Sequence, residues 1–168
     1  MKSGKAYYEF TFGERCGLGP QVGWAISSFE IWPESKDIGC GDQDDSYGID
    51  GIRHALWHAG GHQFDVSWSP GDIIGVAIDL DAKKCFFGKN GEWKEGFSDM
   101  QKVDQGVFPC LTLDNTEICL NLGSAPFNFP GPTPDYGPVS TSDAALDVEQ
   151  IRGYRDSFTA NVFDPVIL

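Results

Sequence analysis

The sequence predicts an all-β protein, a two-sheet antiparallel β-sandwich followed by a short C-terminal helical extension. Three observations carry this. Apolar residues alternate with a period of two rather than 3.6. The alternating runs are short and bounded by turn residues. The 21 glycines and 10 prolines are spread along all 168 residues instead of gathering in one tract. Many short strands joined by tight turns build a sandwich or a barrel. With 40% hydrophobic and 13% aromatic residues the chain has ample apolar material for a core, which argues against disorder.

Taken in order, the first strand is residues 7–12, where Tyr8, Phe10 and Phe12 share one face against Tyr7, Glu9 and Thr11. Short strands follow at 21–27, 47–50 and 55–58. Ser69-Pro70-Gly71-Asp72 reads as a turn into the next strand, in which Ile74, Val76, Ile78 and Leu80 line one face. A strand at 84–89 ends on Asn90-Gly91, the pair that a type I′ hairpin turn requires because both central residues need positive φ. A strand at 107–113 reaches Asp114-Asn115, which also tolerates a tight reversal. The last strand alternates Ile118, Leu120 and Leu122 against Glu117, Cys119 and Asn121.

The final third differs. Five prolines (126, 130, 132, 134 and 138) forbid a central strand and predict an extended strap. Beyond it, Asp143 is placed to cap a helix with Ala144, Val148, Ile151 and Phe158 near one side, and residues 162–168 are apolar. The expected division is a sandwich over 1–125 and a strap with its extension over 126–168, packing on the sandwich or on a neighbour.

The formal charge of −13 argues against nucleic acid, whose affinity rests on Lys and Arg neutralising phosphates. Acidity concentrates between Glu30 and Asp50, where seven carboxylates face one Lys36. This is either a solvated surface or a face for a basic protein or peptide partner. No window approaches the roughly 20 apolar residues of a membrane span, and the first residues lack a signal-peptide apolar stretch. The five cysteines (16, 40, 85, 110 and 119) are odd in number, without a CxxC pair, and read as reduced thiols buried in a cytoplasmic or nuclear protein.

Several runs, read in order, resemble the SPRY family. They are Gly4-Lys5-Ala6-Tyr7-Tyr8-Glu9-Phe10; Gln21-Val22-Gly23-Trp24-Ala25; Gly39-Cys40-Gly41-Asp42 with Ser46-Tyr47-Gly48-Ile49-Asp50-Gly51; and Trp57-His58-Ala59-Gly60. Trp68-Ser69-Pro70-Gly71-Asp72-Ile73-Ile74-Gly75 with Asp79-Leu80-Asp81 continues the series. It closes on Phe87-Gly88-Lys89-Asn90-Gly91, Phe108-Pro109 and Asn121-Leu122-Gly123. Each run alone is weak, whereas their shared order over 4–123 is specific. Residues 92–106 and everything after Pro138 depart from the family pattern.

The resemblance implies two face-to-face antiparallel sheets and a domain that binds protein partners, as in ubiquitin ligases, ryanodine receptors and nuclear ribonucleoprotein scaffolds. It also implies a shallow loop pocket at one end of the sandwich, built here from Asp50, Arg53, Trp57, His58, Leu113, Asp114 and Asn115. Trp57 would supply an aromatic wall, Arg53 would hold a carboxylate or carbonyl, and Asp50, Asp114 and Asn115 would meet amides or a basic side chain. The competing reading makes Trp57 a core residue and Arg53 a surface partner of Asp50. The domain is expected to be monomeric.

No catalytic residue, cofactor or metal is expected. No GxSxG elbow, P-loop, HExxH or GxGxxG element follows a strand, and nothing fixes Cys16 against a histidine as a nucleophile pair. His54, His58 and His62 recur every four residues, but in a strand His54 and His58 would stand roughly 13 Å apart, too far for one metal. Asp42-Gln43-Asp44-Asp45-Ser46 begins like a calcium loop, yet the sixth and twelfth places hold Tyr47 and Arg53 instead of Gly and Glu. The alternative class is a lectin-like sandwich that binds carbohydrate, with calcium at Asp42, Asp44 and Asp45.

Overall fold

The computed structural model describes residues 1–30 and 38–139, and there the period-two runs fold as strands. β1 (Lys5–Phe12), β6 (Ile73–Asp79), β7 (Lys84–Lys89), β8 (Glu92–Phe97) and β10 (Ile118–Asn121) form one antiparallel sheet in the order β10-β1-β6-β7-β8. A two-residue strand, β11 (Gly137–Pro138), joins it by pairing parallel with Ala6 and Tyr7 of β1. The second sheet runs β5-β4-β3-β2-β9, from β2 (Gln21–Ile26), β3 (Ser46–Asp50), β4 (Ala55–Trp57), β5 (Gly61–Gln63) and β9 (Val107–Thr112).

The apolar faces meet between the sheets. Tyr8, Phe10, Phe12, Ile74, Val76 and Ile78 from one side pack against Val22, Trp24, Tyr47, Ile49 and Leu56 from the other. Trp68, carried on the loop before β6, closes this core by meeting Phe10 and Phe12 at ring centroids of 5.4 and 5.6 Å. Tyr8 ties the sheets together directly, donating its hydroxyl to the Gly23 carbonyl on β2 at 2.7 Å. A buried phenol takes such a partner because leaving it unpaired costs about 1–3 kcal/mol.

The turn chemistry holds at atomic detail. Asn90 and Gly91 both adopt positive φ, 51° and 88°. Asp72 N–H closes the Ser69–Asp72 turn on the Ser69 carbonyl at 3.0 Å. The hairpin begun by Asn90-Gly91 returns as β8, and a 3-10 turn (Val103–Gln105) follows, so residues 92–106 hold structure that the sequence reading left undivided.

One finding differs from the alternation argument. Tyr7 and Glu9, assigned to the outer side of β1, are buried at 6% and 3% exposure. The strap covers them: Phe127 stacks against Tyr7 at 4.2 Å, and Asn128 donates two hydrogen bonds to Glu9. Trp93 shields the neighbouring strip, its indole donating to the Pro130 carbonyl at 3.0 Å. Gly75 lies beneath that indole, where an added Cβ would come within 2.4 Å of the ring. The helix expected from Asp143 and the apolar end at 162–168 lie outside the described residues.

Three thiols, Cys40, Cys85 and Cys110, are buried, whereas Cys16 and Cys119 are exposed. Cys119 faces outward because it alternates with Ile118 and Leu120, which point to the core. This corrects the reading of all five as buried.

Candidate partner-binding site

The loop end of the five-stranded sheet is organised by one buried carboxylate. Asp50 closes β3 with no solvent exposure and accepts from the N–H groups of Ile52 (2.7 Å) and Arg53 (2.9 Å). An aspartate bonding its own backbone two and three residues ahead makes an Asx turn, which fixes the chain path into β4. Its other oxygen pairs with Arg53 Nε. Asp50 therefore holds the site together from beneath and presents no surface of its own.

Arg53 emerges from this anchor with its side chain 38% exposed, and its guanidinium lies 4.1 Å from the Trp57 ring centroid. Arg53 pairs with Asp50, as the competing reading expected, and Trp57 is half-buried on the outer face of β4. The indole Nε1 of Trp57 is shielded from solvent and has no acceptor among the described residues.

The 13–20 loop joins this pair to the late turn. A Cβ on Gly19 would lie 2.9 Å from the Arg53 guanidinium carbon, and one on Gly17 would lie 1.6 Å from the Asp114 carbonyl. The Asp114 backbone demands glycine at position 17, whereas at position 19 a side chain would have to push the Arg53 guanidinium aside. Between them stands Leu18, 88% exposed, the one large hydrophobic side chain so exposed among the described residues. Thr116 secures the loop by accepting from Gly17 N–H at 3.0 Å. Asp114 and Asn115 are exposed on the adjoining turn, with Asn115 at φ 44°.

Two of the expected residues stand apart. His58 turns to the flank between the sheets, stacking on Tyr47 at 4.0 Å and engaging the Ser46 carbonyl at 3.0 Å. Leu113 is half-buried against the core. The sequence reading missed Leu18, although its signal was present: a leucine between two glycines in Cys16-Gly17-Leu18-Gly19-Pro20 has no strand to bury it.

Among the described residues of the acidic segment, Asp42, Asp44 and Asp45 do not gather into one site. Asp42 accepts from Gln21 Nε2 (2.8 Å) and Gly39 N–H (2.7 Å). Asp44 pairs with Lys102 at 2.9 Å, which lowers its pKa. Asp45 keeps one shielded oxygen, and burial pushes its carboxyl up. The histidines also diverge, His54 engaging the Val66 carbonyl at 2.5 Å while His62 is exposed on β5. Among the described residues no group of three or more His, Cys, Asp or Glu is placed to hold a metal ion. No helix there is long and apolar enough to cross a membrane.

With this geometry established, the chain matches the SPRY domain over residues 5–125. It belongs to the SPRY domain family. This SPRY domain is 36% identical over 131 residues, 76% of its length, to E3 ubiquitin-protein ligase RKP of Arabidopsis thaliana. It is 28% identical over 149 residues, 88% of its length, to the probable ATP-dependent RNA helicase ddx1 of Dictyostelium discoideum. The matched regions are 10% and 18% of those two proteins. SPRY domains are generally non-catalytic protein-interaction modules.

Proposed function

We propose that this SPRY domain recognises a protein or peptide partner through the loop end formed by Leu18, Arg53, Trp57, Asp114 and Asn115, without chemistry or cofactor. The observation that carries the reading is Leu18 at 88% exposure, flanked by Gly17 against the Asp114 carbonyl and by Gly19 against the Arg53 guanidinium that lies over Trp57. An apolar knob beside a stacked arginine and an indole combines the residue types that dominate interface hot spots. Both flanks of the knob are fixed by the fold, so binding would order few side chains and lose little entropy. Likeness to a ubiquitin ligase supports a role as the recognition part of a larger assembly, in the cytoplasm or nucleus. The sandwich and the strap that covers Tyr7 and Glu9 act as one folding unit in this proposal.

Affinity capture tests it. Wild type is compared with Leu18→Asp and with the Arg53→Ala/Trp57→Ala pair, each first shown to be folded by circular dichroism. Loss of the same captured partner in both variants supports the loop end. An unchanged partner set places recognition elsewhere on the domain.

A further inference from the structure

Three carboxylates of acidic side chains are buried in the described residues, and two of them have a cation from the chain. Asp50 pairs with Arg53, and Asp79 with Lys5 at 3.3 Å. Glu9, at 3% exposure, has no cation within 4 Å among the described residues. Its Oε1 accepts two hydrogen bonds, from Asn128 N–H (2.8 Å) and Asn128 Nδ2 (2.7 Å), and Oε2 accepts none from the described residues. A carboxylate removed from water ordinarily keeps a countercharge, because an unpaired buried ion is costly.

Glu9 also stands in the wall of a pocket of about 190 Å³ on the outer face of the six-stranded sheet. Strand register builds it: Glu9 faces Asn121 and Thr11 faces Cys119 across the β1–β10 pair, so all four side chains share that outer face. Ser124 and Asn128 close the rim. Asn121 holds that rim in shape, accepting from Gly123 N–H at 2.9 Å and donating to the Ala125 and Pro126 carbonyls. The strap stops short here, leaving a polar recess above a buried acid.

We infer that this recess takes the ammonium or guanidinium group of a lysine or arginine side chain from a partner protein, with Glu9 as its counter-ion. The Thr11 and Ser124 hydroxyls and the Asn128 side-chain oxygen supply further acceptors for the N–H donors of such a group. The chain's charge of −13 favours the approach of a basic partner. This site lies on the opposite sheet from the loop end and stands independently of it.

The test is an NMR titration of the full 168-residue chain with N-acetyl-lysine methylamide and with its neutral counterpart acetylated on the side-chain nitrogen. The cationic probe is expected to shift the Thr11 and Cys119 amides and the Asn128 side-chain NH2 saturably, and the neutral one to shift none. Glu9→Gln keeps an acceptor for Asn128 and removes the charge, so binding is expected to weaken by about tenfold. Cys119→Lys checks the same point without altering Glu9. A lysine there is a diagonal cross-strand neighbour of Glu9 and reaches it, so the variant should gain thermal stability and lose the probe response.

Absent shifts in wild type, or shifts that persist unchanged in Glu9→Gln, would overturn the inference. So would saturation by spermidine at far lower concentration than the lysine derivative, which would make this a polyamine pocket. A response that appears only in an Arg152→Gln/Arg155→Gln variant would overturn it too, assigning the recess to the chain's own arginines.

Discussion

The Arg53 guanidinium lies over the Trp57 ring at 4.1 Å from its centroid, and the two residues are fixed together from below by Asp50. A cation over an indole at a partly exposed site is worth about 0.5–1 kcal/mol. The larger energy lies in the pairing, because Asp50 has no exposure. Arg53→Ala leaves that carboxylate with two backbone donors and no charge partner, and is expected to destabilise the domain by about 1–3 kcal/mol. Arg53→Lys retains the charge but loses the planar group that stacks and bonds at once, so an intermediate loss is expected. Trp57→Ala should cost less stability than Arg53→Ala while weakening partner binding more. Urea denaturation read beside a binding assay separates these effects.

Leu18 gives the opposite pattern. A side chain 88% exposed contributes little to folding, so Leu18→Asp is expected to change stability by no more than about 0.5 kcal/mol. Partner binding should nevertheless fall steeply, because the change puts a charge into the apolar centre of the contact. Equal binding by Leu18→Asp and wild type would remove the leucine from the interface.

How far the sequence revealed this arrangement depended on whether a signal was local. Strand positions and hairpin turns follow from period and from residues such as Asn90-Gly91, whose conformations are set within a few bonds. Tyr7 and Glu9 misled because alternation shows two faces but not what covers the second one. The covering residues Phe127 and Asn128 lie more than a hundred positions away and carry no periodic pattern. At the loop end, the Asp50–Arg53 pairing was legible from three-residue spacing. His58 stands apart from Trp57 because adjacent residues in an extended chain point to opposite sides, so it packs on Tyr47 instead.

The strap's anchor has a definite acid limit. Lys5 bonds Asp135 at 2.8 Å and, with Thr133, holds that carboxyl down at about 2. A folded-state pKa below the unfolded value gives stability that is fully present above the ordinary aspartate range, near 3.9, and is lost as pH falls towards about 2. Asp135→Asn or Lys5→Gln should therefore flatten the fall of the melting temperature between about pH 4 and pH 2, with little change in slope above pH 5. Both groups are at the surface, and 0.5 M salt should shrink the difference between wild type and variant. Melting curves across this range in low and high salt decide it. A wild-type slope identical to that of both variants would show that the pair does not anchor the strap.

The five thiols divide by solvent access, and their chemistry should follow. Cys16 and Cys119 are exposed, whereas Cys40, Cys85 and Cys110 are buried. Burial pushes the Cys40 and Cys85 thiols up, which suppresses the thiolate that attacks a disulfide reagent. Titration of the native protein with an aromatic disulfide at pH 8 should therefore label Cys16 and Cys119 quickly. The other three should react only as fast as the sandwich opens, and all five should react together in denaturant. Peptide mapping by mass spectrometry identifies the sites. Rapid native labelling of Cys110 would show that β9 opens locally, since its side chain lies with Cys40 and Ala25 in a small apolar cluster outside the main core. Slow labelling of Cys119 would show that something covers the outer face of β10, and with it the recess at Glu9.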